Sequence, residues 1–230
     1  MSAFTSTVAA KARVPAGLLA MQASAPRTAP SSDPQGAVRR SFAKGEQLFV
    51  EGDTADFFYK ILSGTIRISK LLSDGRRQID AFHLGGDIFG LENDTEHHFT
   101  AEAVEETVVL AFRRSRFTSL LHDNPAFGDQ LMKSVIVSLQ RAHEHMVLLG
   151  RKTALEKMAT FLLDMADRLD SGSQVDLPMQ RADIADHLGL TIETVSRTLT
   201  QLARAGLIKM ATCGRTIKIG NIAALEQVNA

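Results

Sequence analysis

The sequence predicts an α+β protein in which an N-terminal β-roll, a long helix and a C-terminal winged helix-turn-helix follow one another. Three observations support this fold class: short apolar runs separated by glycines over residues 42–112, heptad spacing over 125–150, and two short helical patterns joined by Gly189. The predicted parts are a disordered tail over 1–37, the β-roll over 38–122, the long helix over 123–150 and the winged helix-turn-helix domain over 151–230.

Composition limits the classes of protein that fit. The 230 residues carry no formal net charge, so any polyanion must be met by a local basic face. A single cysteine, Cys213, excludes an intramolecular disulfide and an all-cysteine iron–sulfur cluster, and suits a reducing cytoplasm. No apolar run approaches the roughly 20 residues that span a bilayer, so no membrane partner is expected. Residues 1–32 lack acidic residues, as transit peptides do, but a disordered tail is the favoured interpretation.

The roll is predicted from runs of four to six residues with β-forming side chains and glycine between them. Such strands favour a small antiparallel barrel or jelly roll. The runs are Gln47–Val50, Phe57–Leu62, Thr65–Ile68, Ile79–Phe82 and Val108–Phe112.

Asn124 and Pro125 predict the start of the long helix, which should run to Gly150. One apolar stripe has heptad spacing and is interpreted as a dimer seam, although burial within one subunit is the alternative. This seam consists of Met132, Ile136, Leu139, His143 and Met146. A second stripe should pack on the roll and consists of Leu131, Val135, Ala142 and Leu149. A further helix is expected over 151–170.

The most informative segment follows at residues 179–206. Ile184, Ala185 and Leu188 give a short helix one apolar face, and Gly189 permits a tight turn after it. Thr191 is placed to cap the next helix, which buries Val195, Leu199 and Leu202 and ends at Gly206. Two helices joined in this way form a helix-turn-helix. Two strands around Gly214, Leu207–Met210 and Thr216–Ile219, add a hairpin and make the domain a winged helix.

The polar face of the second helix is predicted to contact DNA bases. Glu193, Ser196, Arg197 and Thr200 share one surface, where arginine can bind guanine and glutamate can accept from the cytosine amino group. Five Lys or Arg and no acidic residue occur from Thr194 to Leu225. An i,i+4 surface pair of Glu193 with Arg197, worth about 0.3–0.5 kcal/mol, is the structural alternative. Base readout is assigned to Ile192, Glu193, Ser196 and Arg197, and backbone contact to Thr191, Thr194, Thr200, Arg204, Arg215 and Lys218.

After residue 37 the chain resembles the CRP/FNR superfamily of bacterial regulators. The order of roll, long helix and winged domain matches, and Glu193-Thr194-Val195-Ser196-Arg197 resembles the E-x-x-S-R reading motif of the FNR branch. Three segments resemble the FixK group within this superfamily: Leu72–Ile79, Gly86–Glu92 and Leu188–Leu199. The resemblance implies a homodimeric regulator, expected to be an activator, of microaerobic or nitrogen-fixation genes. It is expected to read TTGAT-N4-ATCAA and to contact RNA polymerase.

Departures from the family bear on ligands. In the cAMP-binding branch an Arg-Ser pair holds the cyclic phosphate, and Phe99 and Thr100 occupy the matching positions here. The cysteines that hold the FNR cluster are absent. No cofactor is therefore expected, and the alternative is a haem- or small-molecule-gated regulator of the same fold.

Other candidate sites carry less weight. Glu96, His97 and His98 are adjacent on a loop, and His143 and His145 face different ways on a helix, so no metal site is expected. Cys213 lies near Arg215 and Lys218, which favours the thiolate, but an incidental thiol is preferred to a redox sensor. The usual phosphate-loop and nucleophile-elbow motifs are missing, so no enzyme is expected.

Overall fold

The computed structural model describes residues 36–211 and 215–229 and confirms the predicted fold class. The N-terminal half contains eight strands: β1 (Val38–Phe42), β2 (Gln47–Phe49), β3 (Phe57–Ser63), β4 (Ile66–Leu71), β5 (Arg77–His83), β6 (Ile88–Phe89), β7 (Thr100–Ala103) and β8 (Thr107–Arg113). They form two antiparallel four-stranded sheets with the orders β1-β8-β3-β6 and β2-β7-β4-β5. This is the predicted roll, and its three unpredicted strands are β1, β6 and β7.

Aromatic and branched side chains fill the space between the two sheets. Phe49, Tyr59 and Phe89 form a ring cluster in which Tyr59 and Phe89 stack at 5.3 Å between centroids. Gly64 lies in the turn between β3 and β4 with φ at 90°, and a Cβ there would lie 2.4 Å from the Thr107 hydroxyl. Only glycine fits this close approach between neighbouring strands.

Helices follow the roll. A short turn of 3₁₀ helix (Arg114–Arg116) leads into α1 (Phe117–Asp123) and then into α2 (Pro125–Arg151). The Asn124 side chain accepts a hydrogen bond from the Phe127 amide, so the predicted cap and first-turn proline are confirmed. Phe127 and Leu131 bury the start of α2 against the roll.

The third helix differs from its prediction. α3 spans Ala154–Arg168 instead of starting at residue 151. Thr153 and Glu156 form a reciprocal capping box, which fixes the helix start three residues later and separates α3 from α2. Asp170 adopts a φ of 46°, so the predicted end of the helix near this residue is confirmed.

The C-terminal part contains β9 (Gln174–Asp176), α4 (Arg181–Leu188), α5 (Ile192–Arg204), β10 (Ile208–Met210), β11 (Thr216–Ile219) and α6 (Ile222–Asn229). The hairpin of β10 and β11 gains β9 as a third strand, in the order β10-β11-β9. One apolar core joins α3, α4, α5 and α6, and it also takes in Ile79 and Phe82 of strand β5. The roll and the winged domain therefore share a packed boundary.

Within the described ranges, none of the helices is both long and apolar enough to cross a bilayer.

Candidate nucleic-acid interface

The turn between α4 and α5 sets the direction of the second helix. Gly189 ends α4 in the left-handed conformation, with φ at 62° and ψ at 42°. The Leu190 amide then donates to the Ala185 carbonyl, and Leu190 packs against the core of the domain. Thr191 accepts a hydrogen bond from the Thr194 amide at 3.2 Å and caps α5. The sequence-predicted turn and cap are both confirmed.

One face of α5 is buried and fixes the helix in the domain. Val195, Leu199 and Leu202 are each at most 2% exposed, as predicted. Full burial of side chains of this size contributes about 1.5–3 kcal/mol each relative to leaving them in water. Thr198 is also buried, so the buried face is wider than the three-residue stripe. The rotation of α5 about its axis is thereby determined.

The opposite face of α5 is open to solvent. Glu193, Arg197 and Thr200 are exposed, and Ile192 is 49% exposed. The backbone amide of Glu193 itself, the Thr191 hydroxyl and the nearby charge of Arg197 lower the pKa of Glu193, so this carboxylate is ionised at neutral pH. Among the described residues Arg197 has no hydrogen-bond or ion-pair partner. An ionised acceptor and an uncommitted guanidinium thus project from one turn of helix.

Ser196 differs from its neighbours on this face. It is half-buried, and its hydroxyl accepts a hydrogen bond from Arg181 Nη1 at 3.3 Å. Arg181 is the first residue of α4 and was absent from the predicted site. Its place beside the reading face depends on the angle between α4 and α5, which the sequence pattern does not specify. Arg181 therefore joins the candidate interface.

The residues predicted to contact the DNA backbone lie around α5. Arg204 ends the helix, and Arg215 and Lys218 are exposed on the wing side. Lys209 of β10 pairs in register with Lys218 of β11, and both side chains are exposed. Lys209 was counted in the basic segment but was not assigned a contact. The Thr200 hydroxyl donates to the Ser196 carbonyl at 2.9 Å, so its proton is engaged within the helix. Cys213 lies outside the described residues.

The predicted seam of α2 is a continuous exposed apolar stripe in the single chain. Met132, Ile136, Leu139 and Met146 are each 56–62% exposed, and His143 is exposed beside them. The second stripe divides: Leu131 is buried and Leu149 half-buried, whereas Val135 and Ala142 are exposed. The helix therefore uses one side for its own subunit and leaves the other apolar, which is typical of an interaction surface.

The roll position that holds a cyclic phosphate in the cAMP-binding branch is filled by internal contacts. Glu92 Oε2 lies 2.5 Å from His97 Nδ1, and the His97 ring is 2% exposed and stacks on Phe49 at 3.5 Å. Phe99 lies under the Lys70 ammonium, and the Thr100 hydroxyl accepts from the Glu51 amide. These groups satisfy one another within the roll.

The histidines considered as metal ligands make contacts with different partners. His97 binds Glu92, while His98 binds Asp94 at 2.6 Å. His145 stacks on His187 with 4.2 Å between ring centroids. Residues 36–211 and 215–229 contain no group of three or more His, Cys, Asp or Glu side chains arranged to hold a metal ion.

Comparisons with known proteins agree with this geometry. A cyclic nucleotide-binding domain model matches residues 39–124, and a Crp-like helix-turn-helix domain model matches residues 156–228. The nitrogen fixation regulation protein FixK of Rhizobium meliloti is 40% identical over 200 residues, which cover 87% of this chain and 90% of that protein. FixK of Bradyrhizobium diazoefficiens is 45% identical over 174 residues, which cover 74% and 73% of the two chains.

A solved structure is similar across both parts of the chain. FixK2 from Bradyrhizobium japonicum is 43% identical, superposes with a TM-score of 0.78, and is matched over 84% of this chain and 98% of its own. The match includes the roll and the winged domain together, because almost all of the FixK2 chain is covered.

Proposed function

Because the chain belongs to the FixK-like group of the CRP/FNR superfamily of transcription regulators, we propose that it is a homodimeric activator that reads an inverted repeat of the form TTGAT-N4-ATCAA. The observation that carries the proposal is the open face of α5, on which Glu193 and Arg197 stand free of the core. The relatives are regulators and not enzymes, so the site acts by binding.

Base recognition follows from the chemistry of this face. Arg197 donates to O6 and N7 of the guanine in TTGA, and Glu193 accepts from a cytosine amino group. Ser196 lies against a thymine, and Ile192 offers only apolar contact, as to a thymine methyl group. Arg204, Arg215 and Lys218 meet phosphates, with Thr191, Thr194 and Thr200 beside them. Arg181 orients Ser196 through the hydrogen bond to its hydroxyl.

The dimer accounts for the palindrome. Two copies joined along the seam of α2 place two recognition helices about one DNA turn apart, roughly 34 Å, on a two-fold axis. The exposed apolar stripe from Met132 to Met146 supports this seam. The protein acts in the cytoplasm, where it meets both DNA and RNA polymerase, and its target genes serve microaerobic metabolism or nitrogen fixation, by analogy with the FixK proteins it resembles.

Selection of bound sites from random DNA tests the proposal. The purified chain should enrich two TTGA half-sites in inverted repeat, with four base pairs between the TTGAT and ATCAA elements. Arg197→Ala should lose the preference at the guanine and keep the spacing, since the dimer is untouched. Enrichment of an unrelated motif, or of none, would contradict the proposed reading face.

A further inference from the structure

Helix α4 is held against the roll by a carboxylate that lies inside the boundary between the two domains. Asp183 is 3% exposed, and its Oδ1 accepts from Arg67 Nη1 at 2.8 Å and from Arg77 Nη2 at 2.7 Å. Both arginines belong to the roll, on β4 and β5. The other oxygen accepts from the Gln180 amide and caps α4, while Arg67 also pairs with Glu102. The carboxylate thus joins the start of α4 to two strands.

The contact continues along α4. Asp186 lies 2.7 Å from Arg77 Nη2 and also accepts from its Nε at 2.8 Å. The Gln78 amide donates to the His187 carbonyl, and His187 Nδ1 lies 3.1 Å from the Ile79 carbonyl. Three successive residues of β5 therefore bind consecutive turns of one helix. Contacts of this density hold α4 in one register on the strand.

Charge and apolar contacts act together at this boundary. Separating α4 from the roll would break two charge-assisted hydrogen bonds to Asp183, which are among the stronger kinds in proteins. It would also expose Ile79 and Phe82, which lie at most 2% exposed in the core of the winged domain. All of these groups come from the chain itself.

In this docked arrangement the reading face of α5 is open, with Glu193 and Arg197 exposed. α5 contacts α4 within the same apolar core, so the position of α4 on the roll also sets the position of α5 relative to α2. A dimer that reads two half-sites needs both recognition helices at a defined separation. Fixing α4 therefore fixes the geometry that the palindrome requires.

We propose that Arg67, Arg77, Asp183 and Asp186, here termed the interdomain clamp, position the helix-turn-helix for DNA binding in the absence of any effector. These are positioning residues, because they act through α4 and do not touch DNA. The proposal rests on the proposed function, and it adds how the chain reaches its binding-competent form. A clamp built into the chain takes the place that a bound ligand has in a ligand-gated regulator.

The test removes the roll side of the clamp and leaves the DNA-binding domain unchanged. Arg67→Gln/Arg77→Gln should bind the palindrome at least about tenfold more weakly, because only the docked fraction of molecules is competent. The control is Arg76→Gln, next to Arg77 in sequence, which removes one positive charge from an exposed pair with Asp74 and leaves the boundary intact. It should bind within about twofold of the wild-type chain. Arg67→Lys/Arg77→Lys keeps the countercharge and should recover most of the affinity.

A second readout follows the domain position directly. Limited trypsin cleavage after Arg151 or Lys152, at the junction between α2 and α3, should accelerate in the double Gln variant and not in the control. Sedimentation should show the same oligomeric state for all variants. If the double Gln variant folds poorly, Arg77→Gln alone serves as the test, because it keeps the Arg67–Glu102 pair of the roll. It should weaken DNA binding and accelerate cleavage, each by less than the double variant.

Unchanged or tighter DNA binding by a folded double variant would overturn the clamp. So would an unchanged cleavage rate. If the wild-type chain binds no palindrome, the proposed function has failed instead, and the cleavage rates alone then decide whether the clamp holds the domain.

Discussion

Two glutamates occupy opposite situations in this molecule. Glu92 of the roll is paired with the buried His97 at 2.5 Å, whereas Glu193 of the recognition helix is exposed beside the uncommitted Arg197. Both lie at positions where the superfamily places ligand-binding residues. In the roll the chain supplies the partner of the glutamate itself, whereas in the winged domain the proposed partner is DNA. Binding capacity therefore follows from which polar groups remain unsatisfied within the fold.

The largest expected effect is that of disrupting the proposed dimer along the seam of α2. Ile136→Glu places a carboxylate in the apolar seam of each helix, and an unpaired charge there is costly to bury. We expect the dimer dissociation constant to rise by at least about a hundredfold, or about 2.7 kcal/mol, and DNA binding to fall with it.

The matched control for this variant is Val137→Glu. Val137 is also exposed on α2, at 42%, but it lies about 100° around the helix from Ile136. Analytical ultracentrifugation should find Val137→Glu dimeric and Ile136→Glu monomeric at the same concentration. A dimeric Ile136→Glu protein would mean that the seam is misplaced.

Acid should weaken the boundary between the two regions. Burial and the nearby His145 lower the pKa of His187 to about 3, so the folded chain keeps this ring neutral while the unfolded chain protonates it near the ordinary value of 6.5. The unfolded state then binds the extra proton as the pH falls through that value, and the free energy of unfolding drops. Between pH 7 and pH 5 the loss due to His187 is about 2 kcal/mol.

Urea unfolding at pH 7 and pH 5 measures this effect. His187→Gln retains a side-chain donor for the Ile79 carbonyl and does not titrate, so its unfolding free energy should change less over the same interval. Identical pH dependence in the wild-type and variant proteins would show that His187 is not the group responsible.

The smallest effect expected is that of cAMP on DNA binding. Phe99 stands where the cAMP-binding branch has arginine, and Glu92 is already paired with His97. The Lys70 ammonium above Phe99 is itself paired with Glu51 at 2.9 Å, so these residues offer a cyclic phosphate no uncommitted counter-charge. Millimolar cAMP should change DNA affinity by less than about twofold. If calorimetry detects micromolar cAMP binding that also tightens DNA binding, the prediction that the roll does not respond to cAMP is wrong.

The parts of the fold that the sequence predicted are those with local signals. Gly189, Thr191 and the stripe of Val195, Leu199 and Leu202 specify the helix-turn-helix through turn, cap and period, and each is confirmed. Short elements were not predicted, because their sequence patterns are too brief to identify. β9 has one buried residue, Val175, and the capping box at Thr153 that delays α3 consists of two polar residues within an apolar pattern.

The sequence pattern does not predict contacts between segments that are distant along the chain. Asp183 reads as an ordinary residue in the first turn of a helix, and its partners Arg67 and Arg77 lie more than 100 positions away. The same limit applies to Arg181, whose contact with Ser196 depends on the angle between two helices. Composition and periodicity report local structure, whereas these pairs arise only when the domains pack together.

The proposed function requires that the face from Glu193 to Arg197 reads bases while the wing contacts phosphate. Fluorescence anisotropy titrations of Arg197→Ala and Lys218→Ala, on the TTGA palindrome and on a scrambled duplex over a range of salt, test this claim directly. Arg197→Ala should lose about 1–3 kcal/mol per half-site on the palindrome and little on the scrambled duplex. Lys218→Ala should weaken both duplexes alike and lower the salt slope by about one per half-site. Equal losses on both duplexes for both variants would contradict the assignment of α5 as the reading helix.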